Sequence, residues 1–385
     1  MLQLSILSKR FRWILYILVP FCVWSCTKDK LPYDLNIRLK YYYQATIKDK
    51  TSLKTALKWY LSHLGAQLAP NQLDNAITWV NSDDLLDLDF GEIGFPEYAT
   101  PVLAHIIKTI KNSDAYKQLN SIDLGRFVML TLNSSHHYYA ITGVYNSLDD
   151  FRAAYNFEDT AIITFYPGES SIAVADRIVY QTHNGENHFL DMAFIATEGK
   201  GSVQQGNFEA TEFEVFDFMP NGQPRFAIYN KQGQLKTAVP ALLGTAGKPS
   251  KCMWCHESNI QPNFTGISPH TNYFNNNIYQ KKNLLDSIRS QIISELDYQQ
   301  LQEHSLMELL YISFMEPNVE RLAEEWDYSM TETQTLLQPY TTHTHHEYPQ
   351  LGPLYNRAEI DHLGPHPILQ VPESAREESS FEPNY

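Results

Sequence analysis

The chain has 385 residues, 43% of them hydrophobic and 19% charged, with a formal net charge of −15. Its 44 acidic against 29 basic side chains repel phosphodiester backbones and anionic headgroups, which excludes nucleic acid as a partner and a basic face as a membrane anchor. Four cysteines are too few to staple a chain of this length, so a hydrophobic core, expected in two lobes, must hold it together.

The opening MLQLSILSKRFR carries Lys9, Arg10 and Arg12 with no acid and runs into the apolar block WILYILVPFCVW, the pattern of an export signal. A comfortable membrane span needs roughly 20 apolar residues, and this block is shorter. It ends in Val23-Trp24-Ser25-Cys26, which resembles the lipobox of bacterial lipoproteins. The resemblance implies cleavage before Cys26, lipidation of Cys26, and a cell-envelope location facing an extracytoplasmic space. Residue Thr27 in place of Asp favours the outer over the inner membrane. Cys22 would leave with residues 1–25 and Cys26 would carry lipid, so Cys252 and Cys255 remain.

Residues 26–48 read as a tether passing into an extended segment, and 49–116 as a helical region. There Leu53, Ala56, Leu57, Tyr60, Leu61, Leu64 and Leu68 recur at three- and four-residue steps, and Leu73, Ala76, Ile77 and Val80 continue the period. Thr100 as N-cap and Pro101 in the first turn announce a further helix through Leu103, Ile106, Ile107 and Ile110. The stretch 117–248 is expected to be an antiparallel sheet, with RFVMLTL, AIITFYP, DRIVYQ, FLDMAFIAT and EFEVFDF as strands and a hairpin turning at Asn221-Gly222. From 249 to 338 helical spacing returns in Leu284, Leu285, Ile288, Ile292 and Leu296, in SLMELLYISF and in NVERLAEEW. Residues 339–385, rich in Pro, His and acids, read as a partly disordered tail. The fold class expected is therefore α+β, a helical region followed by an antiparallel sheet and a second helical segment.

The chemistry concentrates at Cys252-Met253-Trp254-Cys255-His256, the C-x-x-C-H form of covalent c-type haem attachment. Two thiols three residues apart on one helical turn can form thioethers to the two vinyl groups, and the adjoining imidazole then reaches the iron. Such attachment is completed outside the cytoplasm, in keeping with the export signal. Three other readings stand beside it: a structural Cys252–Cys255 disulfide, a redox dithiol, and a zinc site completed by His270 or by His343-Thr344-His345-His346. The redox reading lacks the strand-then-helix order that normally presents such a pair.

In small cytochromes c the sixth iron ligand is a downstream Met, which makes Met307 and Met315 candidates, with Met330 slightly beyond and His270 as a bis-histidine alternative. Met in a helical apolar stripe is also ordinary core filling. The run Phe165-Tyr166-Pro167-Gly168, Met192 and the hairpin at Asn221-Gly222, followed by the haem motif, resembles the β-sheet cytochrome c-prime family and related hydroxylamine-oxidising cytochromes from about Asp149 to Phe264. That resemblance implies roles for Cys252, Cys255 and His256 only, and an open sixth site that would admit NO or peroxide.

His136-His137-Tyr138-Tyr139 reads as a strand end, with a metal or substrate patch as its functional alternative, and the HTHHE run at 343–347 as part of the Pro-rich tail, with a metal site as its functional alternative. Glu257 is expected to be solvated. No nucleophile elbow, phosphate loop or HExxH motif argues for a hydrolase or kinase. The sequence thus points to a lipid-anchored monohaem electron carrier with one haem c and an acidic surface suited to a basic redox partner. A haem enzyme or gas-binding protein and a non-haem interaction lipoprotein are the alternatives.

Overall fold

A computed structural model of the chain describes residues 33–44, 47–82, 84–157, 161–166, 176–182, 192–236, 252–253, 286–294, 312–345 and 348–365. From Leu35 onward the chain groups as one compact unit and not as two lobes. The architecture is α+β, and the described residues form one sheet of four strands and one of five.

The first sheet has the order β2-β3-β1-β4, built from β1 (Asn36–Lys40), β2 (Ile77–Trp79), β3 (Leu85–Asp89) and β4 (Ile122–Asp123). Alternation sets its register: Ile37 faces Leu88 and Leu39 faces Leu86 across the antiparallel β1–β3 pair, and all four are buried. On the opposite face Arg38 meets Asp87 at 2.7 Å. Ile77 was expected to continue a helix. It instead ends the short helix α2 (Gln72–Ala76) and opens β2, where it pairs with Leu88.

Helix α1 (Lys50–His63) starts at a capping box formed by Asp49 and Ser52 and buries Leu53, Ala56, Leu57, Tyr60 and Leu61, the stripe its spacing announces. Helix α3 (Ala99–Asn112) begins one residue before the expected cap, so Thr100 lies inside its first turn. Apart from the two-residue β4, the segment 117–248 opens with helices: after α4 (Asp114–Leu119) come α5 (Leu124–Thr131), α6 (Ser135–Thr142) and α7 (Leu148–Ala154). RFVMLTL was expected to be a strand, but Asp123 caps α5 by accepting from the Arg126 N–H at 2.9 Å. The helix is buried almost all round, so its sequence shows no polar face to reveal its period.

The second sheet is an antiparallel meander of β5 (Ala161–Tyr166), β6 (Arg177–Thr182), β7 (Phe194–Lys200), β8 (Glu209–Phe218) and β9 (Pro224–Asn230). Four of these are strands the sequence announces, and the fifth, β9, is the second arm of the hairpin it announces. The turn between β8 and β9 contains Asn221 and Gly222 as expected; Gly222 has φ +85, and a Cβ there would sit 2.3 Å from Ile288 Cγ2. Asn221 Nδ2 donates to the carbonyls of Ser62 and Ala66 at 2.7 and 2.8 Å, tying this turn to the end of α1.

Residues 312–315 are helical and are followed by α8 (Val319–Trp326) and α9 (Met330–Leu337). Phe314 packs among Tyr41, Trp59 and Tyr60, and its carbonyl lies so close to Gly125 that a Cβ there would meet it at 2.5 Å. The tail expected from residue 339 is packed as far as Gly364: Leu354, Ile360 and Arg357 are buried, and α10 spans Arg357–Ile360. Among the described residues no helix is long and apolar enough to cross a membrane.

Candidate functional site

Of the haem-motif residues, Cys252 and Met253 are described; Cys255, His256 and Glu257 lie outside the described residues, as do Cys26, His270 and Met307. Met253 is buried in the main core, and Cys252 is half-buried and packs against it. Their surroundings are set by α6, whose Tyr138 and Tyr139 are both buried within electrostatic reach of Cys252. Burial drives both phenols well above their ordinary pKa, and negative charge on Cys252 pushes the same way.

The two tyrosines also fasten α6 to the sheet. The Tyr138 hydroxyl accepts from the Phe226 N–H at 3.2 Å. That of Tyr139 accepts from the Ile228 N–H at 3.3 Å and donates to the Lys236 carbonyl at 2.7 Å. Cys252 therefore sits at the margin of an apolar, aromatic wall. Met315, at the end of the 312–315 helix, is 4% exposed and lies in the same core. Met192 is likewise buried, and Met330 is exposed.

His136 and His137 sit on helix α6 and not at a strand end, and both are buried. His137 Nδ1 lies 2.5 Å from the Leu130 carbonyl, and burial, reinforced by His136, brings the imidazole pKa down to about 4. A neutral ring held on a backbone carbonyl accounts for its place in the core.

A second polar cluster joins Glu316, His343 and His345, whose ligand atoms all lie within 4.8 Å of one another. Glu316 follows the 312–315 helix, with its N–H on the Ile312 carbonyl at 2.9 Å, and Pro317 ends the turn. Its backbone is clamped by Gln44, whose Nε2 donates to the Glu316 carbonyl at 2.7 Å while Oε1 accepts from the Asn318 N–H at 3.2 Å. His343 pairs with Leu354 through two backbone bonds of 3.1 and 2.9 Å. In extended chain, residues two apart face the same side, which brings His345 beside it. The Nε2 atoms of His343 and His345 lie 3.0 and 2.5 Å from one carboxylate oxygen, Glu316 Oε2. The side chains of Glu316, His345 and His343 are 9%, 12% and 43% exposed, so the cluster opens to solvent on the His343 side. Cys252 is not part of this group, which counts against a zinc site shared between Cys252 and His343 or His345. His346 and Glu347 lie outside the described residues.

Sequence reasoning singled out the two histidines but not Glu316, which is far away in the chain and carries no local signal. It also missed a buried ionic cluster of Arg126, Arg321 and Arg357 with Asp123, Glu325 and Asp361. Glu325 takes Arg357 in a two-pronged pair at 2.8 and 3.0 Å and Arg126 Nε at 3.1 Å, and Asp361 meets Arg126 Nε at 2.7 Å. Arg321 and Arg357 approach Asp123 at 3.3 and 3.6 Å. The surrounding guanidinium groups bring Glu325 down to about 2 against the cost of its burial. Burial and the charge of Glu325 raise Asp123. With three cations matched to three anions and almost no exposure, this cluster serves to join α5, α8 and α10.

No family model, no curated protein and no solved structure matches this chain.

Proposed function

We propose that this chain is an exported, lipid-anchored c-type cytochrome that transfers electrons through one covalently bound haem. The observation that carries the reading is Cys252-Met253-Trp254-Cys255-His256, in a chain whose first residues have the form of a lipoprotein signal ending at Cys26. Cys252 and Cys255 would hold the porphyrin through thioethers and His256 would bind the iron. The half-buried placement of Cys252 against an aromatic core fits a macrocycle that is apolar on both faces and must be shielded from water.

Bound haem supplies a one-electron iron couple. The chain's own residues would set its potential through the sixth ligand, for which Met307, Met315 and His270 are the candidates, and through the low polarity around it. Met315 already lies in the core, as a thioether ligand would require. The acidic composition favours a basic redox partner and makes docking sensitive to salt. The lipid on Cys26 would keep the protein in the cell envelope, at the outer membrane by the identity of Thr27.

The test is to produce the chain in an exporting host with c-type haem maturation and record a pyridine haemochrome spectrum after denaturation and acid-acetone extraction. A c-type band that resists extraction and vanishes in the Cys252→Ala, Cys255→Ala double variant supports the reading. A colourless protein overturns it.

A further inference from the structure

We propose that Glu316, His343 and His345 form a divalent transition-metal site of the zinc class, separate from the haem motif and with one coordination position open to solvent. Two imidazole nitrogens and a carboxylate oxygen are ligand types suited to Zn²⁺, and three protein ligands with an open fourth place are the pattern of exchangeable zinc centres. Metal–ligand bonds of about 2.0–2.2 Å place tetrahedral ligand atoms roughly 3.3–3.5 Å apart. The present separations of 3.0 and 2.5 Å from Glu316 Oε2 thus need to widen by about 0.3–0.5 and about 0.8–1.0 Å, within the reach of side-chain rotation.

The three groups come from two segments that are independently fixed. The backbone that carries the carboxylate is held by Gln44 and by the aromatic packing of Phe314, and the histidines by the His343–Leu354 bridge. Both Nε2 atoms are directed at one oxygen, so a cation placed among the three would be met by all of them at once. The ring planes of the two histidines are inclined at 74°, which lets both nitrogens approach a common point without stacking. The 43% exposure of His343 leaves a path for the ion to enter and for water to occupy the remaining position. A bound ion would pin the segment carrying His343 and His345 to the turn after the 312–315 helix.

The full chain, stripped with chelator and dialysed, should take up one Co²⁺ by elemental analysis and, in the difference spectrum against the same protein before Co²⁺ addition, show visible d–d bands without the near-ultraviolet thiolate charge-transfer band. Zn²⁺ should displace it and raise the melting temperature. Loss of an outer-shell partner alone weakens metal binding by about 10–100-fold, so Glu316→Gln and His345→Ala should each weaken it by more than about 100-fold. His343→Ala, at the exposed position, serves as the variant least prone to folding defects and should also weaken binding. His362→Ala, at an exposed histidine outside the group, should not. Absence of metal uptake, a thiolate band placing the ion at the cysteines, selective retention of Mn²⁺ or Fe²⁺ over Zn²⁺, or unchanged affinity in His343→Ala would each overturn the assignment.

Discussion

Glu325→Gln is the substitution that most directly tests how the last part of the chain is held. The carboxylate lies 2.8 and 3.0 Å from Arg357, 3.1 Å from Arg126 and 4.0 Å from Arg321. All of these side chains are at most 8% exposed, so water does not replace what is lost. Glutamine keeps the shape but turns a donor toward a guanidinium, and the cluster changes from balanced to singly positive. Breaking a buried ion pair from one side costs about 3–5 kcal/mol, a large part of the roughly 5–15 kcal/mol that holds a domain together. Urea unfolding should show this as a midpoint lower by on the order of 1 M or more.

The pH profile should change too. Glu325 is depressed in the folded state, so its contribution is full above the ordinary carboxylate range and is lost as pH falls toward about 2. Asp123, raised by burial and by Glu325, acts in the opposite sense. The double variant Glu325→Gln, Arg357→Met restores charge balance and should recover part of the loss, giving a coupling energy of at least about 1 kcal/mol. A single-variant loss below about 1 kcal/mol, or strict additivity in the double variant, would refute the account of this cluster as the joint between α5, α8 and α10.

His137 should make stability fall as pH drops. An unfolded histidine titrates near 6.5 and the buried ring at about 4, so between those values the unfolded state binds more protons, and stability declines by up to about 1.4 kcal/mol per pH unit. Denaturation of His137→Gln at pH 7 and 4.5 should show a flatter dependence than the parent. Gly222→Ala should destabilise by about 2–4 kcal/mol in thermal or chemical melts, because φ +85 disfavours a side chain and the new methyl meets Ile288. Ending the chain at Leu337 removes Arg357, Asp361 and the buried Leu354 and Ile360. The expected product lacks a cooperative unfolding transition, and a truncated chain that melts like the parent would contradict the packing of this segment.

What could be read from the residues depended on how far each signal reached along the chain. The stripes of α1 and α3 and the strands of the meander are long enough for their periods to stand out, and the turn at Asn221-Gly222 marks itself. The first sheet did not, because each of its strands offers only one or two inward apolar residues, and its central strand β1 pairs with β3 and β4, both far away in sequence. Helix α5 hid behind its own burial: with Leu124, Phe127, Val128 and Leu130 all inside, only the Asp123 cap distinguished it from a strand. The candidate sites divide in the same way. C-x-x-C-H is a local motif and was visible. The role of Glu316 exists only through tertiary contact, and so does that of Arg357, a fully buried cation in a stretch whose composition suggested a solvated tail.

These contacts converge on residues 312–326. Tyr41 donates to the Ser313 carbonyl at 3.0 Å and Gln44 spans the backbone of Glu316 and Asn318. Arg321 lies over the Tyr41 ring at 5.0 Å and also reaches Ser313 and Asp123. From the other side the Tyr355 N–H donates to the Pro317 carbonyl at 3.0 Å, His343 and His345 meet Glu316, and Arg357 meets Glu325. The segment is thus fixed by polar bonds to both an early and a late part of the chain, while Phe314 and Met315 between those bonds face the core. Polar groups with specific partners fix position more narrowly than apolar packing does, because each bond is lost when either partner shifts. If the thioether of Met315 is to meet an iron held by His256, this is the kind of support it needs. The same rigidity would carry an ion bound at Glu316 into the packing of Met315, one residue away, so the proposed metal site and the proposed haem ligand would share one structural element.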